Sequence, residues 1–573
     1  MKLTNIEIKN FRGIRRAAVS FPLHSRIICL IGPGDSGKTT LLKAIEWVLW
    51  PSWNLIATDT DFYNGNTTEP IEITASITDI PETLRKEDKF GLYLRDSTKT
   101  FSGDADDEPT DSENIILSIR LTIDESLEPK WEVITNRTEP KSISYKDRRL
   151  LSFGIVGFDH ERDFQWGRGS ILQKYVDSRD ALHNAFTQSM RMAVENTKLD
   201  TLDEIAPNIV SIGKEYGVGF KGELHNRLLM QNGSYSTTVG VFDDKVPFSQ
   251  RGLGSKRLLS IGMNVNAFGD GTVVLVDEIE TGLEPYRIST LINQFRRQFK
   301  DAGQLIMTTH SRSVVCECSI DELFVVNDLN GEFSVSSLKQ VEDINSDVQG
   351  LIRGEPDCFL CRRVIVCEGK TEIGFLRSFD RYLFEMEGFR FAHFGVGTAY
   401  GGGGDKFFKL AKLLKKCGYD VSILMDSDIN DEEAKKREAE VLGIKVFSWE
   451  PDFSIEEQIF HDFSIGTAEK LIQIAVEEKT FDHVIARLDE FFTGENKIHR
   501  VENGTIILQK DASISNLTAI GTLAKSNKCE WYKRIDRGQR VGDVVFEDYD
   551  KLEDCGFLHT MALLRNWVIG HES

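Results

Sequence analysis

The run Gly32-Pro33-Gly34-Asp35-Ser36-Gly37-Lys38-Thr39 fills the spacing G-x-x-x-x-G-K-[ST] in full. This spacing serves the gripping of a polyphosphate. Gly32, Gly34 and Gly37 let consecutive backbone N–H groups, those around Asp35 and Ser36, turn inward on phosphate oxygens. Lys38 supplies a point charge to the β and γ phosphates, Thr39 a hydroxyl for Mg²⁺, and Thr40 continues the cradle into a helix whose positive end faces the anion. Further along, four apolar residues, Val273 to Val276, lead into Asp277-Glu278. At a strand end Asp277 can hold Mg²⁺ and Glu278 can polarise an attacking water.

A second set of carboxylates lies in the C-terminal half. The apolar run Arg363 to Cys367 ends in Glu368, Gly369 turns the chain, and Glu372 follows on the next helix. Val421 to Met425 ends in Asp426-Ser427-Asp428. Side chains two apart on an extended segment point the same way. Two adjacent parallel strands would therefore gather Glu368, Asp426 and Asp428 at one sheet edge, with Glu372 within reach. Such a cluster repels itself without cations, so Mg²⁺ or Mn²⁺ is the expected occupant.

The elements that must position these groups are α/β in pattern. Residues 26–31 form a continuous apolar run of the buried parallel-strand kind, and Thr39 to Trp50 reads as a helix ended by Pro51. Alternation predicts strands over residues 71–80 and within 115–134. Between them the acidic stretch 102–112 predicts an exposed loop. Residues 169–229 read as helices, with Leu172, Tyr175 and Val176, then Leu182, Phe186 and Met190, at helical spacing. Strands are expected at 239–242, 272–276 and 304–308, with a helix over 286–299. After Gly350 a new series begins, with strands at 363–367, 421–425 and 445–449 and helices to the end.

Three further pieces carry a resemblance. Ser249-Gln-Arg-Gly252-Leu-Gly254-Ser255 resembles, in degenerate form, the signature loop of ABC-type ATPases. Thr281 to Pro285 resembles their D-loop, and Thr308-Thr-His310-Ser311 their switch histidine. Phe11-Arg-Gly13 looks like the N-terminus of SMC- and RecF-like members. The resemblance implies ATP held between two heads, with Ser249, Gly252 and Gly254 of one facing the phosphate loop of the other. It thus implies a homodimer or higher oligomer, with Glu278 and His310 serving hydrolysis. The later E-G…E and D-x-D pattern resembles the Toprim domain of topoisomerases, primases and certain nucleases.

An ABC-type ATPase followed by Toprim is similar over essentially the whole chain to the OLD family of ATP-dependent nucleases, which includes Gabija-type and retron-associated defence effectors. The resemblance implies an α/β fold: an SMC/RecF-like ATPase head over 1–168 and 236–345, a helical dimerisation insertion over 169–235, and a Toprim domain with a parallel sheet over 350–573. It implies two-metal hydrolysis of DNA by Glu368, Asp426 and Asp428, with Glu372 and Glu456 as further ligands. Glu456 is preferred to Glu457 because Ile455-Glu456-Glu457-Gln458-Ile459 matches a family φ-E-x-x-φ pattern. A late Ser-x-Lys places Lys528 as the charge-stabilising lysine, with Lys533 its competitor. A co-encoded helicase, or a reverse transcriptase with its RNA–DNA product, is the partner so implied, and phage defence the role.

The chain has 573 residues, which predicts three or four domains. Its 40% hydrophobic and 28% charged residues are globular proportions and exclude wholesale disorder. The net charge of −21 disfavours a polyanion binder held by bulk charge. DNA would have to be met by local basic patches, such as Lys406, Lys409 and Lys412 after the glycine run 401–404, or through metal ions. No apolar stretch is long enough to span a membrane, and scattered cysteines fit a reducing cytoplasm. Cys358-x-x-Cys361 and Cys316-x-Cys318 read as small buried hydrophobes rather than a zinc site. The competing class is an ATP-driven DNA sensor or clamp on a non-catalytic Toprim scaffold.

Overall fold

The structure, a computed structural model, describes residues 1–97, 107–109, 115–151, 153–156, 162–166, 172, 205–230, 237–268, 271–341, 346–427, 432–494 and 497–571. The chain divides into two compact units, Met1–Gln340 and Val341–Ser573.

The first unit is built on a mixed sheet of thirteen strands among the described residues. Its parallel block runs in the order Leu323–Leu329, Ile27–Ile31, Gln304–Thr308, Val273–Val276, Phe153–Val156. Thr308 pairs with Leu30, and Val276 with Met307. The strand ends that carry the phosphate loop, Asp277 and His310 therefore lie side by side at one sheet edge. The three central strands, Ile27–Ile31, Gln304–Thr308 and Val273–Val276, are buried along their whole length and mostly apolar, as parallel strands under helices must be. The hairpin Lys2–Phe11 and Ile14–Ser20 and the strands Ile71–Thr78, Ile115–Ile123 and Pro129–Ile134 extend the sheet antiparallel.

Two sequence expectations change here. Leu224–Met230, read as helical, is a strand paired antiparallel with Thr237–Asp243. Ladder pairing with a β-branched neighbour outweighs the helical spacing of its leucines. Of the remaining stretch 169–235, Ala206–Glu215 is helical. Tyr175, Val176, Leu182, Phe186 and Met190 lie outside the described residues. In the acidic stretch 102–112, the described Asp107 is fully buried rather than exposed. It accepts from Arg95 at 2.5 Å and pairs with Arg137 at 3.1 Å, which offsets the cost of burying its charge.

The second unit carries a four-stranded parallel sheet in the order Val396–Tyr400, Arg363–Cys367, Asp420–Met425, Lys445–Ser448. Helices cover it. Two that matter to the site are set by glycine contacts. A Cβ on Gly538 would stand 2.3 Å from the Thr371 carbonyl oxygen, and one on Gly374 2.0 Å from that of Ile535. Helices Lys370–Glu387 and Ile535–Glu547 therefore touch backbone to backbone. A Cβ on Gly521 would stand 2.7 Å from Cα of Glu457, so Ile514–Lys525 packs as closely on Ile455–Asp462. Cys358 is buried and Cys361 half-buried, and their thiols donate to backbone carbonyls of Glu355 and Asp357.

Candidate functional sites: a nucleotide pocket and a carboxylate cluster

The phosphate loop connects the buried strand Ile27–Ile31 to the helix Lys38–Val48. Two positions need glycine for space as well as for backbone angle. Gly32 has φ 144° and a Cβ there would lie 2.6 Å from the Val326 carbonyl oxygen; Gly37 has φ 83° and would strike the Phe333 ring at 2.8 Å. Lys38 folds back on the loop, donating to Gly32 O at 3.0 Å, Pro33 O at 2.7 Å and Ser36 Oγ at 3.1 Å. Burial pushes its amine down to about 8, against the opposing pull of Asp277 and Asp35.

Asp277 Oδ1 accepts from two hydroxyls, Thr39 Oγ1 at 3.1 Å and Thr308 Oγ1 at 2.6 Å. The two residues that the sequence reading pairs for Mg²⁺, Thr39 and Asp277, are thus joined by a hydrogen bond. Glu278 has φ 43°, an uncommon left-handed turn for a non-glycine residue, held by its N–H on Thr308 Oγ1 at 2.8 Å. Its carboxylate accepts from Thr281 at 3.2 Å. A pocket of about 340 Å³ is lined by Asp35 to Thr40, Glu278, His310, Gly13 and Asp328. Burial, then the Lys38 charge, holds the His310 imidazole below its ordinary value.

Ser249 sits in a short turn, and Gly252 and Gly254 at the start of the helix Leu253–Phe268. A Cβ on Gly254 would stand 2.6 Å from Gly282 O, so the signature-like and D-loop-like segments touch within one chain. None of Ser249, Gly252 and Gly254 is among the described residues that line the pocket. Two residues of this site escaped the sequence reading. Glu280 accepts from the His310 N–H and the Thr309 hydroxyl, and fully buried Arg257 donates to the Asp277 carbonyl at 2.6 Å. Glu280 had a signal in its spacing of two from Glu278; Arg257, one charge among apolar helix residues, had little.

In the second unit, Cys367 pairs with Leu424, so the adjacent strands end level. The Glu368 N–H donates to Leu424 O at 3.2 Å, and Glu368 Oε2 accepts from the Asp426 N–H at 3.3 Å. Asp426 Oδ1 accepts from the Ile455 N–H at 2.8 Å, at the start of the helix that carries Glu456. Glu372 is buried, with Oε2 folded over Gly369, where a Cβ would come within 2.5 Å of it. Burial, then the neighbouring charges of Glu456 and Glu368, push its carboxyl up to about 8. Burial likewise raises Glu456. Glu457 does something else: it caps its own helix through Ser454 and pairs with Lys525 at 2.5 Å, which holds it low despite burial.

Asp428 lies outside the described residues. Among the described residues no three His, Cys, Asp or Glu side chains stand close enough to hold a metal ion. The donor chemistry nevertheless fits a hard divalent cation. Burial raises both the Glu372 and Glu456 carboxyls, and the charges of Glu456 and Glu368 add to the rise at Glu372, a penalty that a bound cation would offset. Lys528 is exposed on the loop after Ile514–Lys525. The cations whose charge reaches Glu456 are Lys533 and Lys525. Of the glycine-run lysines, Lys412 is engaged by Glu438 at 2.6 Å, while Lys406 and Lys409 are exposed.

A P-loop ATPase head whose histidine strand lies between the loop strand and the carboxylate strand, followed in the chain by a parallel sheet with acidic strand ends, defines an ABC-type ATPase–Toprim protein. Comparison with known families agrees. Residues 27–317, just over half of the chain, match the family described as "AAA domain, putative AbiEii toxin, Type IV TA system". Residues 359–428 match "Overcoming lysogenization defect protein-like, TOPRIM domain". The chain belongs to the OLD family of ATPase–Toprim proteins.

Among its relatives, the OLD nuclease of Thermus scotoductus is 26% identical over 54% of this chain and 59% of its own length. The chain thus spans about three fifths of that relative. The Old nuclease of Escherichia phage P2 is 20% identical over 97% of this chain and 99% of its own. Solved SMC head domains also match. That of Thermotoga maritima has 13% identity and TM-score 0.31 over 59% of this chain and 99% of that chain. That of Pyrococcus furiosus has 14% and 0.39 over 61% and 99%. Among the described residues no helix is long and apolar enough to cross a membrane.

Proposed function

We propose that the chain is an ATP-binding and ATP-hydrolysing, metal-dependent DNA endonuclease serving phage defence. The observation that carries the nuclease half is the Glu368–Asp426 hydrogen bond across two level parallel strand ends, with Glu372 and Glu456 electrostatically joined to it. Two relatives bearing the name OLD nuclease support the same reading. Divalent cations bound there would activate water and steady the leaving oxygen. The chain's own part is to set Glu368, Asp426 and Asp428 as acceptors, to keep Glu372 and Glu456 dry, and to bring Lys533 beside the developing charge.

In the head, Lys38 and the loop hold the triphosphate, Thr39 and Asp277 take Mg²⁺, and Glu278 orients water. His310 senses the γ phosphate. The signature-like segment stands apart from the pocket lining, which favours its acting on a second copy, and hence an oligomer. A co-encoded helicase or reverse transcriptase remains the partner to seek. The competing reading, an ATP-driven clamp with a non-catalytic Toprim scaffold, is favoured only by the open carboxylate geometry among the described residues.

The test is cleavage of supercoiled and linear DNA with Mg²⁺ or Mn²⁺, with and without ATP. Asp426→Ala should abolish cleavage and leave nucleotide binding intact. Cleavage undiminished by that change would refute the nuclease site.

A further inference from the structure

The pocket beside the phosphate loop is lined also by two residues outside the loop and outside the turns that carry Glu278 and His310. These are Gly13, at the tip of the N-terminal hairpin, and Asp328, near the end of the strand Leu323–Leu329. These two tips are tied together: Gly331 O accepts from the Arg15 and Arg16 N–H groups at 2.9 and 3.0 Å. Asp328 is itself fixed, its Oδ1 accepting from the Gly331 N–H at 2.7 Å across a turn in which Asn330 and Gly331 both have positive φ.

Position along the strand says which part of a nucleotide meets this carboxylate. Gly32 abuts the Val326 carbonyl, and Asp328 lies two residues further on, about 7 Å of strand rise. A carboxylate is repelled by phosphates, so it suits the uncharged end of the ligand, where it can only accept hydrogen bonds. Gly13 leaves that end open, since a Cβ there would meet no atom within 4 Å.

We propose that Asp328 is the nucleoside-reading residue of this pocket, accepting a hydrogen bond from the nucleoside and so selecting which triphosphate the head takes. The proposal rests on the reading of this pocket as an ATP site. The donor is either the 6-amino group of adenine or a ribose hydroxyl, and the experiment separates them.

The full chain is titrated calorimetrically with Mg²⁺ complexes of ATP, inosine triphosphate, 2′-deoxy-ATP, 3′-deoxy-ATP and tripolyphosphate. Inosine triphosphate replaces the amino donor by an oxo acceptor; the deoxy forms remove one hydroxyl each. A hydrogen bond to a charged acceptor makes the wild type prefer ATP about tenfold or more over the analogue lacking the donor. Asp328→Asn keeps an amide oxygen for the Gly331 N–H and turns an NH₂ toward the pocket. It should bring that preference to within about twofold, or reverse it for inosine triphosphate, and leave tripolyphosphate affinity unchanged. Gly13→Val should weaken every nucleotide but not tripolyphosphate. A wild type with none of these preferences, or an Asp328→Asn protein that keeps them, overturns the proposal. If Lys38→Ala binds ATP as tightly as the wild type, the nucleotide reading itself falls, and this assignment with it.

Discussion

Glu280 Oε1 accepts the backbone N–H of His310 at 2.6 Å, and its other oxygen takes the Thr309 hydroxyl at 2.7 Å. A carboxylate two residues past Glu278 thereby fixes the loop that carries His310, a residue lining the pocket. Glu280→Ala should leave ATP affinity nearly unchanged and lower the turnover of ATP hydrolysis about 10- to 100-fold, as expected for a lost charged hydrogen bond. Steady-state kinetics checks the split: a rise in KM with kcat intact would mean that Glu280 serves binding instead.

The lysines of the C-terminal unit give a three-way comparison. The charges of Lys533 and Lys525 reach Glu456, although Lys533, like Lys528, is exposed and pairs with Glu530 at 3.3 Å. Lys533→Ala should slow DNA cleavage about 100-fold, within the range of a lost charge-stabilising group. Lys528→Ala should stay within about threefold of the wild type, as expected for a surface change. Lys525→Ala should chiefly lower the melting temperature, by unpairing buried Glu457. Cleavage assays at matched folding would reject this order if Lys528→Ala were the crippled variant.

Stability of the metal-free protein should fall with rising pH. Burial raises the Glu372 carboxyl from 4.5 to about 8. The folded state therefore holds the proton more tightly than the unfolded state does. That stability is fully present below about pH 4.5 and is lost as pH climbs through about 8. Melting curves in chelator across this range should slope downward for the wild type and flatten for Glu372→Gln; Mg²⁺ or Mn²⁺ should restore the alkaline loss. Equal slopes for both proteins would refute the assignment.

The glycine contact between helices Lys370–Glu387 and Ile535–Glu547 can be tested by a single methyl. At Gly538 it would lie 2.3 Å from the Thr371 carbonyl oxygen, a backbone atom that cannot swing aside. Gly538→Ala should cost about 1–3 kcal/mol by chemical denaturation and displace Glu372, lowering cleavage with ATP hydrolysis kept. Gly404→Ala, in a loop where an added Cβ meets nothing, carries only the strain of φ 56° and should cost less.

The head was legible because its chemistry follows strand ends. A full phosphate loop after an apolar run, and Asp277-Glu278 after another, fix a parallel sheet whose strands align at one edge, and the register of Val276 with Met307 and Thr308 with Leu30 realises it. Three of the four strands of the second sheet were equally plain, with Arg363–Cys367 bounded as expected, whereas Val396–Tyr400, leading into a glycine run, was not read as a strand. Long-range pairing was not legible. Nothing local in Leu224–Met230 announces its partner Thr237–Asp243, and nothing in an acidic loop announces that Asp107 meets Arg95 in the interior. Lysines were hardest, since Lys525, Lys528 and Lys533 differ only in which way a turn faces them.

Arg257 sits on the helix that begins with the signature-like segment and grips the carbonyl of Asp277. That helix thus joins the segment at Gly252 and Gly254, packed on Gly282, to the turn that carries Asp277 and Glu278. A displacement of that segment would then be felt, through Arg257, at the carboxylate turn of the same head. The timing of hydrolysis in such a protein would be set from outside its own pocket, as a latch is worked by its handle.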